Sequence, residues 1–96
     1  MEKNSLFYMA NLYPEIGRIF SFFDSNKIEA AENAKIRALD IMDKILSFHE
    51  IIPGGREEWN VIKNFILGYN KLTVEERIIL EKYAEPFAYK FMKKYQ

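Results

Sequence analysis

Cysteine is absent from this 96-residue sequence, and glycine and proline are scarce, with 4 and 3 residues. The absence of cysteine excludes a disulfide framework and thiolate chemistry, and it fits a reducing compartment. Turn signals occur at only three places, and no repeat, linker or low-complexity segment interrupts the chain. We therefore expect a single helical domain over residues 1–96, with a radius of gyration of roughly 12 to 13 Å.

An excess of charge of one sign is also missing, because 14 basic and 14 acidic side chains cancel. A chain without a net field does not attract nucleic acid or an anionic membrane over a distance, so we expect neither as a partner. A long apolar run is missing as well, since Asn11, Glu15 and Arg18 interrupt the N-terminal segment. We expect no signal peptide, no membrane span and a cytoplasmic location.

The two-residue alternation of a half-buried strand does not occur in the sequence. Apolar residues recur instead at spacings of three and four, and the apolar share of 49% is enough to build a core. Short connections between long helices make sequence neighbours antiparallel. The sequence therefore predicts an all-α fold, an antiparallel four-helix bundle in up-down-up-down order.

Four helices are predicted, with caps for two of them. They run over Ser5–Asp24, Lys27–His49, Arg56–Tyr69 and from Thr73 towards the C-terminus. Asn26 and Glu29 are spaced as a capping pair for the second helix, and Thr73 and Glu76 as a capping box for the fourth. Pro14 and Pro86 lie inside apolar patterns that continue past them, which predicts bends in the first and fourth helices instead of ends. A short first turn before the helix is the alternative at Pro14.

The segment SFHEIIPGGREEW, residues 47–59, holds the single histidine, the single tryptophan and the paired glycines. A metal site is not expected there, because His49 has no second ligand at a zinc-binding spacing. Gly54, Gly55 and Arg56 form an anion site in one hypothesis, but two glutamates follow at that helix start and repel phosphate. A turn accounts for every residue, with Trp59 packing back on the core. A small-ligand or enzyme site near His49 and Trp59 is kept as an alternative, and we expect no cofactor.

Lysines and aromatic residues alternate near the C-terminus. In one hypothesis the chain binds nucleic acid weakly here, through the charges of Lys90, Lys93 and Lys94 and through stacking of the aromatic rings on bases. The preferred interpretation is that the lysines complement the dipole of the helix end while the aromatic rings form core.

Several large apolar residues fall off the predicted core faces. They are Phe7 and Phe22 on the first helix, Ile36 and Leu67 on the next two, and Ile78 and Met92 on the fourth. Two phenylalanines on the polar side of one helix favour contact with a neighbour on that side. We therefore expect an interaction surface at Phe7, Phe22, Ile78 and Met92, and a homodimer that uses the first helix. The expected function is a non-enzymatic protein–protein interaction or self-association module.

Overall fold

The computed structural model describes residues 4–48 and 55–94, and these residues form four α-helices and one short 3-10 helix. The helices are α1 (Ser5–Asp24), α2 (Ile28–Leu46), α3 (Arg56–Leu67) and α4 (Val74–Lys94), with the 3-10 helix at Tyr69–Lys71. No strand occurs in either described range. The predicted all-α fold is confirmed.

Helix α1 packs against both α2 and α4, and most interhelical packing is made by these two pairs. The pairs that join α1 to α4 include Phe7 with Phe91, Tyr13 with Glu85, and Asp24 with Arg77. Those that join α1 to α2 include Tyr8 with Phe48, just beyond the end of α2, and Glu15 with Arg37. In both sets the residue numbers rise along α1 and fall along its neighbour, as antiparallel helices require. This order is consistent with the predicted up-down arrangement.

Small residues let α2 approach α1 closely. Ala31, Ala34 and Ala38 are all fully buried on α2, and each contributes only a methyl group to the packing with its neighbours. Helix α1, which packs against α2, buries Met9, Leu12, Ile16 and Ile19. The radius of gyration is 13.0 Å, in agreement with the value expected from the chain length.

The predicted cap at Asn26 is wrong. Asn26 has a φ of +59°, in the left-handed region, and its N–H donates to the carbonyl of Phe23. The N–H of Lys27 donates to the carbonyl of Phe22, so this turn closes the C-terminus of α1. Asparagine tolerates the left-handed backbone that such a closure needs. Helix α2 then begins at Ile28 without a side-chain cap.

Two predicted helix ends are also wrong. Helix α2 ends at Leu46, three residues before the predicted end. Helix α3 ends at Leu67 and is followed by Gly68, so Tyr69 lies in the 3-10 helix, where its side chain is buried. Val61 on α3 is 50% exposed and does not belong to the buried face of the helix.

Both prolines lie inside continuous helices. Helix α1 passes through Pro14 and α4 passes through Pro86 without interruption, as predicted, whereas the bend at each proline stays a prediction. The capping box of α4 is confirmed. The N–H of Thr73 donates to Glu76 Oε1 at 2.9 Å, and the N–H of Glu76 donates to Thr73 Oγ1 at 3.2 Å.

Candidate functional site

A groove of about 710 Å³ runs between α1 and α4 on the surface of the bundle. Residues that line it include Tyr13 and Pro14 from α1, with Glu85, Pro86, Tyr89 and Met92 from α4. The two in-helix prolines thus meet in one groove. Proline has no N–H, so the helical hydrogen bond to the carbonyl four residues earlier is missing. The proline ring adds apolar surface to the groove wall.

Helix α4 carries apolar residues on two sides. Its inner side buries Leu80, Ala84 and Phe87, which belong to the core. Its outer edge exposes Val74, Ile78, Tyr89 and Met92, at 70%, 47%, 64% and 59%. A helix that is apolar on two sides is typical of an element with neighbours on both.

The charges around the groove are asymmetric along α4. The hydroxyl of Tyr13 donates to Glu85 Oε2 at 3.4 Å, and the negative charge of Glu85 raises the pKa of Tyr13. Further along the helix, Lys93 Nζ lies 5.8 Å from the centre of the Tyr89 ring. The groove is therefore acidic at Glu85 and basic beyond Tyr89.

The predicted interaction residues fall into two groups. Ile78 and Met92 are exposed on the outer edge of α4, as expected. Phe7 and Phe22 are only half-exposed, since the Phe7 ring packs edge-to-face on Phe91 at 5.8 Å and Phe22 packs against the core. Phe7 is therefore in contact with α4 of the same chain. A role in an interface stays a prediction for all four residues.

The described part of the glycine-rich segment forms the start of α3. Gly55 has a φ of +76°, which favours glycine, and it precedes the first residue of the helix. The guanidinium of Arg56 donates to the carbonyls of Leu46 and Phe48 at the end of α2. Because the guanidinium of Arg56 already donates to backbone carbonyls, the structure here favours a turn over an anion site. His49 and Gly54 lie outside the described residues.

Trp59 is fully buried and belongs to the core, as predicted. Its ring lies 5.1 Å from that of Tyr83 and 5.2 Å from that of Phe87. Its indole therefore offers no surface to a ligand in solution. The hypothesis of a ligand or enzyme site near His49 and Trp59 stays untested.

The C-terminal lysines do not assemble a stacking platform in the described residues. Lys90 and Lys93 are exposed, while the description of Lys94 is limited to its backbone. Phe87 is buried and Phe91 is half-buried, so Tyr89 alone of the described rings in this part of α4 is mostly exposed. Stacking along a nucleic-acid strand uses successive rings.

A buried carboxylate between α1 and α2 was missed from the sequence, which places Glu15 on a polar side. Glu15 is only 5% exposed; its Oε2 accepts from Arg37 Nε at 2.6 Å and its Oε1 accepts from Arg18. The spacing of Glu15 and Arg18 predicts one of these pairs. The pairing with Arg37 depends on how α2 lies on α1.

Residues 4–48 and 55–94 contain no group of three or more acidic, histidine or cysteine side chains that would hold a metal ion. In these ranges, none of the helices combines the length and the apolar character that crossing a bilayer requires.

Comparison of the chain with protein-family models, curated proteins and solved structures gives no match.

Proposed function

We propose that this chain is a non-enzymatic self-association module, which forms a homodimer through the exposed edge of α4 and the adjoining groove. One observation carries the proposal: α4 is apolar on two sides, and among the described residues only its inner side is covered. The uncovered edge presents Val74, Ile78, Tyr89 and Met92. These four large apolar residues form two exposed pairs on one edge of one helix, and exposed apolar surface of this kind marks interaction sites.

The energetics allow a weak dimer. Burying one exposed side chain of this size is worth roughly 1.5 to 3 kcal/mol. Association costs roughly 4 to 15 kcal/mol. The gross gain from burying four such residues on each of two chains exceeds the lower end of this range. We expect dissociation constants in the micromolar range, because one pair of helices buries less area than a standard interface.

The interface proposed here lies on α4, whereas the sequence favoured α1. Phe7 contributes indirectly, since its ring supports Phe91, which lines the groove. Ile78 and Met92 keep the role that the sequence predicted for them. A cytoplasmic location remains a prediction beside this proposal.

The test is the mass of the protein in solution as a function of concentration. Light scattering after size exclusion, from micromolar to near-millimolar protein, is expected to show a mass rising from 11.4 kDa towards twice that value. Tyr89→Glu with Met92→Glu is expected to keep the mass of one chain. Ile36→Glu is the matched control, since Ile36 is 61% exposed on α2.

Three outcomes contradict the proposal. A constant mass near 11.4 kDa for the unaltered chain excludes self-association over this range. A dimer that survives Tyr89→Glu with Met92→Glu places the interface elsewhere. A dimer lost only in the Ile36→Glu control places it on α2.

A further inference from the structure

The outer edge of α4 has an order that is complementary to its own reverse. From the N-terminal end the residues are Val74, Ile78, Lys82, Glu85, Tyr89 and Met92, which reads as two apolar, one basic, one acidic and two apolar. At 100° per residue these positions lie within one narrow stripe of the helix. All six are exposed.

We infer that two copies pair α4 against α4 in antiparallel orientation, about a two-fold axis midway between Lys82 and Glu85. This inference rests on the self-association proposed above and specifies its register. In this register Lys82 of each copy meets Glu85 of the other. Outside the charged centre, Ile78 meets Tyr89 of the second copy. At the ends of the stripe, Val74 meets Met92.

Charge complementarity selects this orientation over the parallel one. A parallel pair in register would set Lys82 against Lys82 and Glu85 against Glu85, and juxtaposed like charges suppress a pairing. The antiparallel pair makes two opposite-charge contacts instead. A two-fold arrangement also closes on itself, so it ends at a dimer.

Both central charges are available for such contacts. Lys82 forms no ion pair with any other residue in the described ranges. Glu85 accepts a single long hydrogen bond, 3.4 Å, from the hydroxyl of Tyr13. An incoming ammonium group therefore displaces no strong contact at Glu85.

The groove next to the stripe fits the same register. From Val74 to Met92 the stripe is about 27 Å long at the rise of an α-helix. In the antiparallel pair, Ile78 and Val74 of the second copy lie over Tyr89 and Met92, which line the groove. Because the pairing is symmetric, each copy covers the groove of the other.

The test uses charge reversal, with association measured by sedimentation equilibrium. Glu85→Lys and Lys82→Glu, each alone, are expected to weaken dimerisation by about tenfold or more, because each creates two like-charge contacts. The chain carrying both substitutions is expected to dimerise like the unaltered chain. A mixture of the two single variants is expected to form a heterodimer, read by native mass spectrometry with one variant isotope-labelled. Lys27→Glu is the matched control for Lys82→Glu, because it makes the same charge change at an exposed position outside α4.

The outcomes separate this register from the proposed function. If Tyr89→Glu dissociates the dimer while neither single charge reversal weakens it, the register is overturned and self-association stands. Failure of the double substitution to restore binding, or absence of the heterodimer, overturns the register in the same way. An unaltered chain that stays monomeric at near-millimolar concentration overturns both. Equal weakening by Lys27→Glu attributes the effect to net charge and also overturns the register.

Discussion

The hydroxyl of Tyr69 donates a 2.6 Å hydrogen bond to Glu32 Oε2, which joins the 3-10 helix to α2. Tyr69 is 3% exposed, and its burial, together with the bond to Glu32, raises its pKa from 10.0 to about 12. The same bond, aided by Lys35, lowers the pKa of Glu32. Tyr69, two residues after the end of α3, is thus held inside the bundle by a polar contact.

The shift of Tyr69 predicts a loss of stability at alkaline pH. Between pH 10 and 12 the folded chain keeps the Tyr69 proton that the unfolded chain releases, so the free energy of unfolding falls as pH rises through this window. Tyr83, whose pKa is raised by burial and by its bond to Glu58, adds to the fall. Urea unfolding at pH 9 to 11.5 is expected to show a shallower decline for Tyr69→Phe than for the unaltered chain.

The matched control for this experiment is Tyr89→Phe, at a tyrosine that is 64% exposed. We expect its decline to follow that of the unaltered chain. Equal slopes for Tyr69→Phe and the unaltered chain would show that Tyr69 does not titrate in the folded protein as described.

The buried carboxylate Glu15 predicts a non-additive pair of substitutions. Arg18 and Arg37 both bond Glu15, yet their own side chains are 54% and 52% exposed. Loss of one arginine leaves the other, so each change to alanine is expected to cost less than about 1 kcal/mol. Loss of both leaves a buried charge without a partner, and we expect about 2 to 3 kcal/mol in total, measured by urea unfolding. Additive costs would mean that Glu15 does not need either partner.

Close packing of α1 and α2 predicts that a larger side chain is not tolerated at Ala34, which is fully buried. Ala34→Leu is expected to lower the free energy of unfolding by about 1 to 3 kcal/mol, because the two helices must move apart. Ala30→Leu is the control on the same helix, at a half-exposed position, and a change within about 0.5 kcal/mol is expected there. Thermal unfolding that is equally affected by both variants would contradict this account.

The capping box of α4 predicts a specific cost at its first residue. Thr73→Ala removes the acceptor for the N–H of Glu76 and is expected to cost about 1 kcal/mol of stability. Glu75→Ala, two positions after Thr73 in the same turn and outside the box, is expected to cost less. Denaturant unfolding of both variants gives the comparison, and an equal effect would exclude a capping role for Thr73.

Continuity of α4 through Pro86 predicts that this proline is replaceable. Pro86→Ala restores a donor for the carbonyl of Lys82, so we expect helix content to change little and stability to rise by about 1 to 3 kcal/mol. Circular dichroism and urea unfolding at low micromolar concentration measure both without a contribution from dimerisation. A marked loss of helical signal would mean that the proline is required for the fold.

Local signals in the sequence were enough for α1 and for the start of α4. Helix α1 spans the predicted residues at both ends, and Asn4 at its start accepts a bond from the N–H of Phe7. The Thr73 capping box depends on residues three positions apart. Such features depend on neighbours in the sequence, so no knowledge of the fold is needed to find them.

The errors arose where a residue had two local possibilities. Asn26 suits a helix N-cap and also a left-handed turn, and the closure of α1 decided between them. Tyr69 continues the apolar spacing of α3, yet Gly68 ends the helix before it and its hydroxyl bonds Glu32. Each choice was made by a contact with another element.

The sequence by itself determined the helical class and the four apolar segments, because a period of three to four and a cap are properties of short stretches. Only the tertiary structure decided that α4 covers Phe7, that Arg37 bonds Glu15, and that Pro14 and Pro86 share a groove. The physical reason is that helical periodicity assigns each side chain a direction around its own axis, while the helix that lies in that direction is set by packing between distant segments.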